Sequence, residues 1–401
     1  KVSYGQQANL YFTKLNTQNG LSHNKVNCII QDQRGFIWMG TDDGLNRFDG
    51  QYFTSFRHQP NNPSTISGNI ITDLLEDEQG IIWIATADGG LTRYDHRLQP
   101  AKQFKQYTNI PGDTTTIPVN IINALIQDKM NHLWLATSGK RVLRFDKKKE
   151  RFIQPVNAGT SNALALCLDQ YDSLWVGRQG GGLLKVNTNN LSYHMDDRYL
   201  DLYANLPHVT VTSLYRDRKN NIWFGSWDKV LYCYNPSDQT KMIFKKDKNE
   251  FSFPDDEIQA FAEDRNGRLW MGGKYFGLTV YDPQKKHFYN YRHDVAREGT
   301  LADNQINCIL VDRTGKTWIG TNKGISIYNP MQQPFVQTFI SSKNKNIIIH
   351  DFYKDENENL WIGTNNGLYI QKKGTAELAH LPLTYKNRQL TISKIFKDDD
   401  G

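Results

Sequence analysis

Eight times along the chain an Asp is followed six residues later by a Trp, and two residues after each Trp stands a Gly or an Ala. The phrase "DQRGFIWMGTDDGLNRFDG" returns as "DEQGIIWIATADGGLTRYD", "DRTGKTWIGTNKGISIYN" and, less closely, at five other places. The tryptophans are Trp38, Trp83, Trp134, Trp175, Trp223, Trp270, Trp318 and Trp361, at steps of 45, 51, 41, 48, 47, 48 and 43 residues. Strict spacing inside a unit and loose spacing between units mean one supersecondary unit used repeatedly, which outweighs any local reading of the residues. A ninth copy opens at "ISKIFKDDDG", and the sequence reads as stopping mid-repeat.

Each unit divides into four runs of strand length. In the first copy these are "VNCIIQD", "FIWMGT", "LNRFD" and "YFTSFRH", separated by "QRG", "DDG" and "GQ". Aromatic residues make up 12% of the chain and cluster in these runs, as expected of strands. The pattern is that of a four-stranded antiparallel meander. Asp32 suits the first position of a turn, its carboxylate accepting from nearby backbone N–H groups, and Gly35 supplies a positive φ. Asn131, Asp172 and Asn220 stand at the Gly35 position in other copies, and Glu358 departs most. The Trp residues read as core, and the Gly or Ala beyond each suits a wedge-shaped sheet crowded near an axis. Four-stranded units of this period indicate an all-β fold, a β-propeller.

No copy carries the five-ligand calcium run, and the cysteines Cys28, Cys167, Cys233 and Cys308 lack metal-like spacing, so neither a metal nor a cofactor is expected. The net charge of +6 is scattered in short runs such as "DKKKER", which argues against a nucleic-acid groove. No apolar stretch is long enough to span a bilayer, and no signal-peptide pattern opens the chain; the sequence reads as a soluble fragment.

The stretch "YFTKLNTQNGLSHNKVNCIIQDQRGFIWMGTDDGLNRFDGQYFTSF" resembles the two-component regulator propeller repeat. Such repeats build the extracytoplasmic sensor regions of hybrid two-component systems in polysaccharide-degrading gut bacteria. The resemblance covers essentially the whole chain, is strongest in copies one, seven and eight ("WMGTDDGL", "WIGTNKGI", "WIGTNNGL") and weakest in copies three to five. It implies a periplasmic sensor of two successive seven-bladed propellers, joined through an immunoglobulin-like domain and a membrane helix to cytoplasmic kinase, receiver and DNA-binding parts. The implied ligand is an oligosaccharide from polysaccharide breakdown, and the implied receptor a homodimer anchored by segments outside this sequence.

The strands themselves suggest the blade count. "LYFTKL" (10–15) has the character of a fourth strand without three before it, and fits as the last strand of the Trp318 unit. That gives a seven-bladed ring over 1–330, with 331–401 opening a second propeller from "FVQTFI" (335–340); the alternative is a single eight-bladed ring including Trp361. Seven-bladed closure would make the strands of Cys28 and Cys308 neighbours.

Function is expected in the loops joining the second and third strands, which vary most between copies and ring one mouth of the axis. Trp227 and Tyr275 offer aromatic faces to a sugar ring, Trp227 reading equally well as a plug of the channel or as packing under a loop. Arg178, Lys140, Arg141, Lys229, Lys274 and Lys323 could meet the carboxylates or sulfates of an acidic glycan, beside Asp42 and Asp43, while each alone also reads as a solvated surface charge. His208 lies in the entry loop "NLPHVT". No nucleophile, His–carboxylate pair or phosphate loop stands out from the repeats, so no catalytic residue is expected. The rival classes are a carbohydrate-acting lyase or glycosidase and a protein-docking propeller; against a sialidase, the copies hold two residues between Asp and Gly where its box holds one.

Overall fold

The structure, a computed structural model, describes residues 10–139, 141–154, 161–194, 209–249, 251–254, 256–331, 347–373, 378–386 and 388–397. It divides into two compact units, Lys1–Gln332 and Gln333–Gly401. Residues 335–340 lie outside the described residues.

In the first unit every Trp-bearing copy forms a four-stranded antiparallel sheet. The first is Val26–Gln31, Ile37–Thr41, Gly44–Phe48 and Phe53–Phe56, paired in that order. The Trp318 sheet takes its fourth strand from the other end of the unit: Phe12–Leu15 pairs with Gly324–Tyr328, Phe12 opposite Tyr328 and Leu15 opposite Ile325. The first strands stand side by side in chain order, through Ile71–Glu76, Ile122–Gln127, Ala163–Leu168, Val211–Arg216 and Ile258–Glu263 to Ile306–Val311. The last of these lies against Val26–Gln31, so the order of neighbours returns to its start.

The small residue two places after each Trp makes this neighbourhood possible. A Cβ on Gly40 would overlap Cys28 Sγ and the side chain of Ile71, the first residue of the next sheet. Gly177 meets Val211, Gly225 meets Ile258, Gly272 meets Ile306, and Gly320 meets Val26 in the same way. Close approach of neighbouring first strands therefore requires a residue without bulk at this column.

The turn and the Trp are one device. In the first sheet Asp32 Oδ1 accepts the Phe36 N–H at 2.9 Å and Oδ2 accepts the Trp38 indole N–H at 2.9 Å. Every copy repeats the indole bond, between 2.8 and 3.0 Å. The position three after the Asp is left-handed throughout, with φ 99° at Gly35, 66° at Asn131, 63° at Asp172, 64° at Asn220 and 62° at Glu358. The seven repeat tryptophans of the first unit are buried.

Among its described residues the second unit holds one four-stranded sheet, Ile349–Lys354, Leu360–Thr364, Gly367–Gln371 and Leu378–Leu381, and a short hairpin of Thr384–Tyr385 with Arg388–Gln389. Trp361 is only partly buried. Ile349 and Phe352, which match Val26 and Ile29 by position, are 50% and 68% exposed where their counterparts are 0% and 7%.

Asp73 ties two sheets together: its Oδ2 accepts the Leu125 N–H at 2.7 Å. Burial pushes its carboxyl up to about 6, against that bond and one from the Leu74 N–H. An acid raised above its ordinary value favours the folded state most when protonated. Its contribution is full below about pH 4 and lost as pH rises through 6. The gap in unfolding free energy between the parent and Asp73→Ala should therefore widen as pH falls from 8 to 4; a gap that narrows contradicts the assignment. Asp77 runs the other way. Burial would raise it, but the Trp83 indole and the Lys147 ammonium, both at 2.9 Å, hold it below the usual carboxylate range. Asp77→Ala, which strands these buried donors, should cost about 2–4 kcal/mol in urea unfolding at neutral pH.

Candidate functional site

The axis of the first unit is lined by a side-chain column that a backbone irregularity creates. In every sheet of this unit the pairing of the first two strands shifts register across the second residue of the first strand, as between Val26 and Cys28 or between Ile306 and Cys308. Such a bulge leaves one residue unpaired and re-aims its side chain. The bulged residues are Asn27, Thr72, Asn123, Leu164, Thr212, Gln259 and Asn307. Five of them donate to the first strand of the next sheet: Asn27 to Ile71 O, Thr72 to Ile122 O, Asn123 to Ala163 O, Thr212 to Ile258 O and Asn307 to Val26 O, at 2.6 to 3.0 Å.

A cavity of about 350 Å³ opens over part of this column. Asn123, Leu164, Thr212, Gln259 and Asn307 form its wall, with Gln305, Trp227 and Lys274 above them. Trp227 stands 50% exposed, its backbone N–H bonded to Thr210 O at 3.1 Å. Lys274 donates to Glu257 Oε2 at 2.9 Å, and that hydrogen bond, with Tyr275 beside it, raises the ammonium above its ordinary value. The Lys274 ammonium lies 5.1 Å from the centre of the Tyr275 ring, itself 50% exposed. The loop is held from below by Asp256, which accepts the N–H groups of Tyr275 at 3.0 Å and Phe276 at 2.8 Å. Burial nevertheless leaves the Asp256 carboxyl raised.

Of the residues singled out in the sequence, Trp227 and Lys274 share this cavity, with Tyr275 alongside. Asp42, Asp43, Arg178, Lys229 and Lys323 are not among its lining residues. Asp42 accepts from Asn27 at 2.9 Å and Lys25 at 3.0 Å; burial would raise it, and these partners hold it lowered. Asp43 pairs with Arg57 at 3.1 Å. Arg178 is not a loop residue: it ends the strand Ser173–Arg178, is 8% exposed, and donates to the carbonyls of Gly181 and Leu183. It stands where Thr41, Thr321 and Thr364 bond the carbonyl across the same turn. Lys229 is partly buried in a left-handed turn, with φ 58°, and Lys323 is exposed, its N–H bonded to Thr321 Oγ1 at 3.1 Å. Arg141 opens the strand Arg141–Asp146. Lys140 and His208 lie outside the described residues. The wall residues were missed by the sequence reading, although a polar second residue in "INALI", "VTSLY", "IQAFA" and "INCIL" was the signal for all of them but Leu164. Among the described residues no group of three or more His, Cys, Asp or Glu is placed to hold a metal ion, and no helix is long and apolar enough to cross a membrane.

The family described as "Two component regulator propeller" matches residues 20–43, 65–88, 205–228, 252–275, 300–323 and 342–366. Each segment ends in or just before a loop between second and third strands, so the matched residues include Trp227, Lys274 and Tyr275. The Trp134 and Trp175 copies lie outside these segments; the Trp223 copy, among the weakest in the sequence reading, lies within one. The chain is 40% identical over 60 residues, 15% of its length, to "Histidine kinase P4" of Formosa agariphila, of which this covers 4%. Among solved structures, the extracellular domain of the hybrid two component system BT3049 of B. thetaiotaomicron is similar with a TM-score of 0.74 at 23% identity, over 96% of this chain and 49% of that one. An extracellular domain of BT4673 from the same organism matches with a TM-score of 0.62 at 21% identity, over 97% of this chain and 50% of that one. A streptogramin B lyase matches with a TM-score of 0.59 at 12% identity, over 80% of this chain and 97% of that one. The chain thus spans about half the length of the extracellular domains it matches. At these identities the likeness is one of fold.

Trp227 carries no framework role in this geometry. Trp227→Ala should leave the unfolding free energy within about 0.5 kcal/mol of the parent, whereas Trp223→Ala, which empties a buried site, should cost about 3–5 kcal/mol; urea unfolding of the two variants measures the contrast.

Proposed function

From a chain that carries two-component regulator propeller repeats, we propose a ligand-sensing region of a hybrid two-component receptor, outside the cytoplasmic membrane, that recognises an oligosaccharide released by polysaccharide breakdown. The observation that carries this reading is Trp227, half exposed above a wall of amide and hydroxyl side chains. An indole face covers the C–H face of a sugar ring, and the polar groups around it answer the hydroxyls at its edge. The repeats and the fold shared with extracellular domains of two-component systems support the receptor reading.

The domain plan belongs to the same proposal. Residues 1–330 form a seven-bladed propeller closed by the strand at 10–15, and 331–401 begin a second propeller. The exposure of Ile349 and Phe352, on the strand whose counterpart in the first unit is covered by the Trp318 sheet, supports a further blade on that side. In the receptor, a homodimer with a membrane helix and a cytoplasmic histidine kinase, ligand shifts signalling only in so far as it binds one state more tightly than the other.

Calorimetric titration with a panel of plant and microbial oligosaccharides should give binding, and Trp227→Ala should weaken it about 10–100-fold, or about 1.4–2.8 kcal/mol. Conversion of the bound sugar into smaller products, read by chromatography, would overturn the sensor reading in favour of an enzyme.

A further inference from the structure

Polar groups on the cavity wall fall into two kinds. Asn123, Thr212 and Asn307 use their donors on the carbonyl of the next sheet. Gln259 occupies the same bulged column, and Gln305 immediately precedes the strand Ile306–Val311; among the described residues neither side-chain amide bonds to the protein. Both line the cavity that Trp227 borders. Two carboxamides thus lie at the cavity, each with one acceptor and two donor hydrogens uncommitted.

Charge is arranged differently. The one cation of the described wall, Lys274, is matched by Glu257 at 2.9 Å. An anionic group entering beside Lys274 would meet the Glu257 carboxylate as well, and would gain the ammonium only by competing with a partner already in place. A hydroxyl, which both donates and accepts, needs no such exchange, and a pair of vicinal hydroxyls matches the donor and acceptor of one carboxamide.

Resting on the oligosaccharide reading of this mouth, we infer that the ligand is a neutral sugar chain, its hydroxyls read by Gln259 and Gln305 and one ring stacked on Trp227. Gln259 and Gln305 are then the specificity-determining residues of the cavity. Leu164 gives the same wall an apolar patch. Lys274, the basic loop residue at the cavity, does not select the ligand in this arrangement.

The test titrates the full 401-residue chain with two sets of oligosaccharides of matched length. One set is neutral (gluco-, galacto-, manno- and arabino-oligosaccharides); the other bears uronate or sulfate groups. Binding is expected in the neutral set alone, with Kd constant within about twofold when salt is raised from about 0.05 to 0.5 M, since no ion pair forms. Gln259→Ala and Gln305→Ala should each weaken it at least about tenfold, with melting temperatures unchanged, and Gln305→Glu, which keeps the size but loses the donors, should weaken it as well. Binding only to uronate or sulfated chains, falling steeply with salt, overturns the neutral assignment and leaves the oligosaccharide reading standing. Neutral binding that ignores all three variants overturns the role of the two glutamines. Binding to neither set overturns both readings.

Discussion

A carboxylate buried between packed sheets must have its oxygens answered, and a buried indole must find an acceptor for its N–H. In this chain the two requirements answer each other. The Asp that follows each first strand takes the indole of the Trp on the second strand with one oxygen and the N–H groups of its own turn with the other. Six residues is the separation at which the turn folds these groups onto each other. Lengthening or shortening the turn by one residue would put the Trp on the wrong face of the strand. The fixed spacing inside the repeat is thus a hydrogen-bond constraint, and everything outside it is free to vary.

What varies around this bond shows how little else the frame demands. The residue facing each Trp on the third strand is Arg47, Arg93, Arg144 or Lys185 in the first four sheets. It is Cys233, Val280 or Ile327 in the next three, and Ile370 in the second unit. Lys185 sits 5.2 Å from the Trp175 ring centre and 3.1 Å from Asp169, so a cation there stabilises ring and carboxylate together. An aliphatic side chain fills the same space without charge. Lys147 adds a bond between sheets, reaching from the end of the Trp134 sheet to Asp77 of the Trp83 sheet.

The axial column is where frame and candidate site share the same residues. A bulge in each first strand frees one side chain from its own sheet. Most of these side chains then hydrogen-bond the neighbouring sheet and keep the first strands in contact. Gln259, with Gln305 nearby, is left facing the cavity instead. The candidate site is thus a local release from the belt that holds the first strands together, beside a loop that bears Trp227. Rigid first strands under a variable loop are a good platform for recognition, since the ordering entropy of the wall is already met by folding.

Much of this was legible in the sequence because the repeat is local. Turn, Trp and small residue lie within nine positions, so the four-stranded unit, the left-handed turn position and the wedge at Gly40 could be read from one copy and checked against seven others. The Asp and the Trp were read as separate devices, since spacing alone does not reveal the bond that joins them. Trp227 and Lys274 were visible as departures from the repeat, whereas Arg178, equally visible as a loop cation, proved to be a buried substitute for a turn threonine. Sequence by itself determined the sheet, because its hydrogen bonds join residues a few positions apart. Only the tertiary structure decided which polar residues face the axis and which of them keep free donors, because their partners are carbonyls of the next sheet, 40 to 50 residues away or, for Asn307 and Val26, 281.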